Sequence, residues 1–136
     1  MIKEISFVVH SRRMSSNEYR AGRARGTGRA VFFAPKGLPL FKETVGRLAL
    51  VNMKIKGYRM TLSPVSAVLK FFFRDRRGDA TNFHKAIFDG MQGVVYKNDS
   101  QVGDNTLNPF VPATVVLMKF KDPVEPRVEI LLSWYD

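Results

Sequence analysis

Cysteine is absent from this chain of 136 residues. Disulfide scaffolds, zinc–thiolate centres and thiol nucleophiles are thereby excluded. Histidine is scarce. His10 and His84 are the only two, and they lie too far apart in sequence, on different expected elements, to suggest a zinc pair. His84 reads as a helix surface residue, with general-base work as the less favoured alternative. No Gly-Lys-Ser/Thr follows the glycine-rich stretch at 22–28, so it is not a Walker phosphate loop. A Ser-His-Asp triad has no supporting motif. The opening Met1-Ile2-Lys3-Glu4-Ile5 lacks the apolar run of a signal peptide. No segment approaches the ~20 apolar residues of a membrane helix. The expectation is a soluble cytoplasmic protein with no membrane partner.

Acidic residues are also in short supply, 12 against 22 lysines and arginines. The resulting net charge of +10, with a pI near 10.2, favours a polyanionic partner, DNA or RNA before a membrane. A basic surface that merely serves solubility is the alternative. Hydrophobic residues make up 45%, enough for a globular core rather than a disordered chain. The length suits one domain over residues 1–136.

The charge is concentrated. Between Arg12 and Lys36 stand Arg12, Arg13, Arg20, Arg23, Arg25, Arg29 and Lys36 against the single acid Glu18, a net +6 of the total. Ser, Asn and Gly fill the rest, so about 11–30 reads as a flexible basic loop. Its glycines allow close backbone approach, and its arginines suit phosphate oxygens. A second basic group, Arg74, Arg76 and Arg77, follows an apolar run.

Periodicity supplies the frame. Ile2–Val9 reads as a first strand. Residues 40–56 place Phe41, Val45, Leu48, Ala49 and Met53 at helical spacing, with Gly57-Tyr58 closing the helix. Val65–Phe73 is almost continuously apolar and reads as a buried central strand. Phe71-Phe72-Phe73 within it reads as strand core, with a stacking platform for unpaired bases as the alternative. Thr81 is a candidate cap for a helix to about Gln92, ended by Gly93. Its Phe83, Ile87, Gly90 and Met91 share one face, and Asn82, Lys85 and Asp89 another. Val94-Val95-Tyr96 reads as a short strand and 97–100 as a turn. Residues 113–120 and 126–134 read as two further strands joined as a hairpin through 121–126. Trp134 is assigned to the core or to a dimer contact. The fold class is α+β, a small mixed sheet with two main helices.

One stretch combines chemistry with this frame. Asp79, Asn82 and Lys85 lie on a loop-to-helix segment, and Asp99 lies on a later loop. Phosphodiester hydrolysis needs the phosphate's developing charge neutralised and a water activated. Mg2+ held by two or three carboxylates provides both. A lysine supplies a point charge for the phosphate. Asp79 and Asp99 suit metal binding, Lys85 suits the phosphate, and Asn82 suits orienting a ligand or water. Asp89 is placed to pair with Lys85 or to stand behind the site. By spacing alone, an ordinary capped helix with surface charges explains these residues equally well.

The segment Asp79–Val102 resembles the RusA family of Holliday-junction endonucleases. That family carries Asp-x-Asp-Asn, a Lys three residues on, an Asp in the helix, then Asp-Asp-x-Gln-Val. This chain has Asp79-Ala80-Thr81-Asn82, Lys85, Asp89 and Asn98-Asp99-Ser100-Gln101-Val102. Ser15-Ser16-Asn17 is similar to the family's upstream Ser-Asn loop. The resemblance implies a small homodimeric enzyme that cuts branched DNA with magnesium. It assigns catalysis to Asp79, Lys85 and Asp99, and the metal to Asp79 and Asp99. Thr81 stands where the family has its middle aspartate, and Asn98 where it has the first of the later pair. Thr81 would then offer a hydroxyl or act through water, and Asp75 or Asp89 would supply the missing charge. A non-catalytic binder with an eroded metal site is the alternative. A phage source, with function in the host cytoplasm, is what the family suggests.

Overall fold

The computed structural model describes residues 1–10, 20–23, 30–33, 38–74, 80–106 and 112–136. Strict alternation shapes β1 (Ile2–His10): Ile5, Phe7 and Val9 are buried, while Ser6, Val8 and His10 are exposed. β6 (Arg127–Tyr135) repeats the pattern with Val128, Ile130, Leu132 and Trp134 inward. The two pair antiparallel, with Ile5 opposite Leu132. β6 also pairs antiparallel with β4 (Val65–Phe73), and β4 pairs parallel with β5 (Val115–Lys121). The sheet therefore runs β1-β6-β4-β5.

This order corrects the expected hairpin. β5 and β6 are consecutive but not neighbours, because β4 lies between them. Turn residues at 121–126 specify that the chain reverses, not which strand it pairs with. Arg127 holds the turn by bonding the carboxylate of Asp122 at 2.8 Å and the carbonyl of Glu125 at 2.9 Å.

β4 is interior to the sheet, but it is buried on one face only. Val65, Ala67, Leu69, Phe71 and Phe73 are buried, while Val68 and Phe72 on the other face are half-exposed and Lys70 is exposed. An apolar run reads alike whether both faces are covered or one stays open and apolar. On the open face Phe72 stacks on Phe120 at 4.8 Å, and the Arg127 guanidinium lies 3.8 Å above the Phe72 ring.

Both helices pack on the inward face. α1 (Leu38–Lys56) buries Phe41, Val45, Ala49 and Met53, one residue per turn, and Gly57 follows it at φ 68°. α2 (Ala80–Met91) buries Phe83, Ala86, Ile87 and Met91. It begins one residue before Thr81, so Thr81 lies inside the first turn rather than at the cap. Phe83 anchors that turn. It meets Phe41 edge-on at 5.8 Å and tilts onto Phe71 and Phe73 at 6.5 and 5.9 Å. Burying such a ring stabilises by about 2–3 kcal/mol.

Residues 94–96 form a turn rather than a strand. Single bridges join Tyr96 to Thr61 and to Gln92, and Gly93 has φ 82°. Apolar character there serves core burial, since Val95 and Tyr96 are fully buried. Part of the expected basic loop is ordered as an antiparallel ribbon of β2 (Arg20–Arg23) and β3 (Ala30–Phe33), with Arg20 opposite Phe33.

The chain ends are tied together. The Asp136 carboxylate accepts from Thr61 at 3.1 Å, Ser63 at 3.3 Å and the Trp134 indole at 3.2 Å, and pairs with Lys3 at 3.2 Å. Trp134 is thus a core residue, resolving the earlier alternative.

Candidate active site

α2 and the turn that follows it carry the described part of the motif. Lys85 is exposed on α2, opposite the Phe83–Ile87 face. Thr81 and Asn82 belong to the first helical turn. Asp79 lies outside the described residues, as do Arg12, Arg13, Arg25, Arg29, Asp75, Arg76 and Arg77. Arg20 and Arg23 fall on β2, and Arg74 is exposed where β4 ends.

Asp89 faces α1 rather than Lys85. Its carboxylate lies 3.7 Å from the Lys42 ammonium. Spacing within α2 made Lys85 the natural partner, but the helix crossing brings Lys42 closer. Both partners are about half-exposed, so the pair contributes little to stability.

Asp99 opens a short 3₁₀ turn, Asp99–Gln101, whose backbone is held on several sides. Asn98 caps it, accepting from Ser100 N at 3.0 Å. Gln101 Oε1 accepts from Asn98 N at 2.9 Å, which completes a capping box. Gln92 Oε1, just past the end of α2, accepts from Asp99 N at 3.2 Å. Gln101 Nε2 donates to the carbonyls of Thr61 at 3.0 Å and Ser63 at 2.9 Å. Two residues on, Gly103 N donates to Val65 O at 2.9 Å, joining the turn to the start of β4. The Asp99 carboxylate is exposed, and among the described residues no donor reaches it.

Tyr96 fastens the segment before the Asp99 turn to the end of α2. Its ring is buried, and its hydroxyl donates to Phe88 O at 2.6 Å. Burial pushes the phenol far above its ordinary range, and the negative charges of Asp99 and then Asp89 push it further. Tyr96 therefore stays protonated and uncharged. Beside it, His84 meets Phe88 edge-on at 5.8 Å. Its buried Nδ1 has no partner among the described residues.

The structure thus places Asp89 on the last turn of α2, and Tyr96 and Asp99 in the segment that follows it. Lys85 lies one turn before Asp89 on the same helix. Among the described residues no three acidic or histidine side chains converge as a metal cluster. Sequence reasoning missed Lys42, Gln92 and Tyr96. None sits at a spacing that signals chemistry. Gln101 was legible only as a letter of the motif.

A family model described as Endodeoxyribonuclease RusA matches residues 13–133, most of the chain. The chain belongs to the RusA family. A search of the curated proteins finds no match. RusA nucleases are endodeoxyribonucleases that resolve Holliday junctions, and they are generally metal-dependent. Branched DNA is the substrate that fits this family. No helix among the described residues is long and apolar enough to cross a membrane.

The donor chemistry of this RusA chain fits a hard divalent cation. Asp99 offers an exposed carboxylate on a fixed backbone, and among the described residues no donor reaches it. Magnesium needs only one or two such oxygens, because it keeps several waters.

Proposed function

We propose that this RusA protein is a magnesium-dependent resolvase of four-way DNA junctions, acting as one domain over residues 1–136 and as a homodimer. The observation that carries the reading is Asp99: its backbone is clamped, no donor among the described residues reaches its carboxylate, and it lies within the span that the family model matches. Bound magnesium would polarise the scissile phosphate and acidify a water. Asp79 and Asp99 hold it, and Asp89 stands behind them. Lys85 places a positive charge where the phosphate oxygens gather negative charge. Asn82 and Thr81, in the first turn of α2, orient water or ligand. The backbone is gripped by Arg12, Arg13, Arg20, Arg23, Arg25, Arg29, Arg74, Arg76 and Arg77. Such contacts read shape and charge more than base identity.

Resolution needs two opposed cuts, which a two-fold dimer places symmetrically. The open face of the sheet supports the dimer. Val8, Val116, Met118 and Phe120 are each about 40% exposed on it, around a depression of about 440 Å³ lined by Ser6, Val68, Lys70, Glu129 and Leu131. Sedimentation showing only monomer at micromolar concentration, with and without junction DNA, counts against the dimer.

The test of function is a labelled four-way junction incubated with and without magnesium. The parent cuts only with the metal. Asp79→Asn and Asp99→Asn bind the junction as tightly or more tightly but do not cut it, since removing a carboxylate also removes repulsion from phosphate. Full cutting by both variants overturns the metal assignment. Thr81, in place of an aspartate, favours a second reading as a non-catalytic binder, and magnesium-independent binding without cutting by the parent establishes it.

A further inference from the structure

Gln101 uses both ends of its amide, one within its own turn and the other across to a distant segment. Its oxygen accepts from Asn98 N at 2.9 Å, and its nitrogen donates to Thr61 O at 3.0 Å and Ser63 O at 2.9 Å. Thr61 is itself fixed: it is buried, its N–H bonds Val95 O at 2.8 Å, and its hydroxyl bonds Asp136. The amide thus bolts the Asp99 turn to the rigid segment entering β4. From the other side Gln92 bonds Asp99 N at 3.2 Å and ties the turn to the end of α2. The turn is thereby bonded both to the segment entering β4 and to the end of α2. Gln92 holds the turn at Asp99 itself and Gln101 holds it at the Asn98 cap, while among the described residues no donor reaches the Asp99 carboxylate.

We propose that Gln101 and Gln92 are positioning residues: they fix the backbone of Asp99 so that its carboxylate is pre-aimed at the metal. The inference rests on the proposed metal role of Asp99. Without the clamp the turn samples several orientations, and the ion must select among them. A ligand held by supporting bonds binds more tightly than a wandering one, and loss of such support typically lowers metal affinity about 10–100-fold.

The test is titration calorimetry of magnesium, and of manganese as a tighter-binding probe, into the full-length protein without DNA. Urea midpoints and junction affinity are measured in parallel. Gln101→Ala is expected to bind metal about 10-fold more weakly or worse. Gln101→Glu keeps the acceptor for Asn98 N but sets an anion against two carbonyls, so it does not rescue. Gln92→Ala, at an exposed position, is expected to bind metal more weakly while its urea midpoint stays close to the parent's. It keeps the test decisive even if Gln101 variants fold poorly. Junction affinity in EDTA is expected to be unchanged in every folded variant. If Asp99→Asn binds metal as the parent does, the metal reading falls and this inference with it. If Asp99→Asn loses the metal while Gln92→Ala and folded Gln101 variants bind it like the parent, the positioning role alone is overturned.

Discussion

Gly46 of α1 and Gly90 of α2 meet backbone to backbone. A Cβ on Gly46 would lie 2.6 Å from the Gly90 carbonyl oxygen, and one on Gly90 would lie 2.6 Å from the Lys42 carbonyl oxygen and 3.3 Å from Val45 Cβ. Glycine within a helix forfeits about 1 kcal/mol relative to alanine, so its presence at both contact points reflects close approach. That approach brings Lys42 to Asp89 and sets where α2 ends relative to the Asp99 turn.

Gly90→Ala is therefore expected to destabilise despite its better helix propensity. The obstructing atoms are backbone and cannot swing aside, so overpacking of about 3 kcal/mol outweighs a propensity gain of about 1. Urea unfolding should show a net loss of about 2 kcal/mol. A stabilised variant would show that the helices have room to spare at this crossing.

The basic arm makes a separate, electrostatic prediction. Each phosphate neutralised contributes about 0.9 to the slope of log affinity against log salt. Replacing Arg12, Arg20, Arg23, Arg25 and Arg29 with alanine should flatten that slope by about 4–5 units. Fluorescence anisotropy with a four-way junction across a salt series measures it. A slope equal to the parent's would place the arm off the DNA.

Legibility in the sequence followed the range of the interactions. α1 and α2 were readable because Phe41-Val45-Ala49-Met53 and Phe83-Ile87-Met91 repeat at helical spacing. β1 and β6 were readable from alternation. Pairing was not: the residues of 121–126 favour a reversal equally well whether β5 and β6 touch or β4 lies between them. The parallel β4–β5 pairing runs through a crossover that carries α2, and such a crossover is non-local. Asp99 was visible through its motif, but its clamp was not, since Gln101 reaches Thr61 across 40 residues and no spacing rule connects them. Lys42–Asp89 was hidden in the same way, behind the Gly46–Gly90 crossing.

Acid sensitivity follows from the carboxylates that join distant segments. Burial pushes the Asp136 carboxyl up, but bonds from Lys3, Thr61 and Trp134 outweigh it and hold the group below its ordinary range. The bond from Arg127 does the same for Asp122, helped by the Glu125 and Val124 N–H groups. A carboxyl depressed in the folded state stabilises at pH above its unfolded value, about 3.9, and that stability drains away as pH falls through the folded value. Urea midpoints should be flat from about pH 7 to pH 5 and fall below about pH 4. Asp136→Asn should lower the neutral midpoint and shallow the acid fall. An identical pH profile in the variant would remove Asp136 from this role.

Thr81 marks where this chain departs from the family's pattern, and it gives the sharpest test of the site. Thr81 is the second residue of α2, so a carboxylate there gains from the positive end of the helix dipole and does not disturb the helix start. If Asp79 and Asp99 hold the metal as proposed, Thr81→Asp should add a hard, charged oxygen to them and so strengthen magnesium binding. Junction cutting should then reach half its maximum at lower magnesium than in the parent. A native site already complete with Thr81 predicts the reverse at saturating metal, because the added charge repels the phosphate and slows cleavage. Full magnesium titrations of both proteins separate these outcomes. Superimposable curves would place position 81 outside the site and break the alignment of this loop with the family motif.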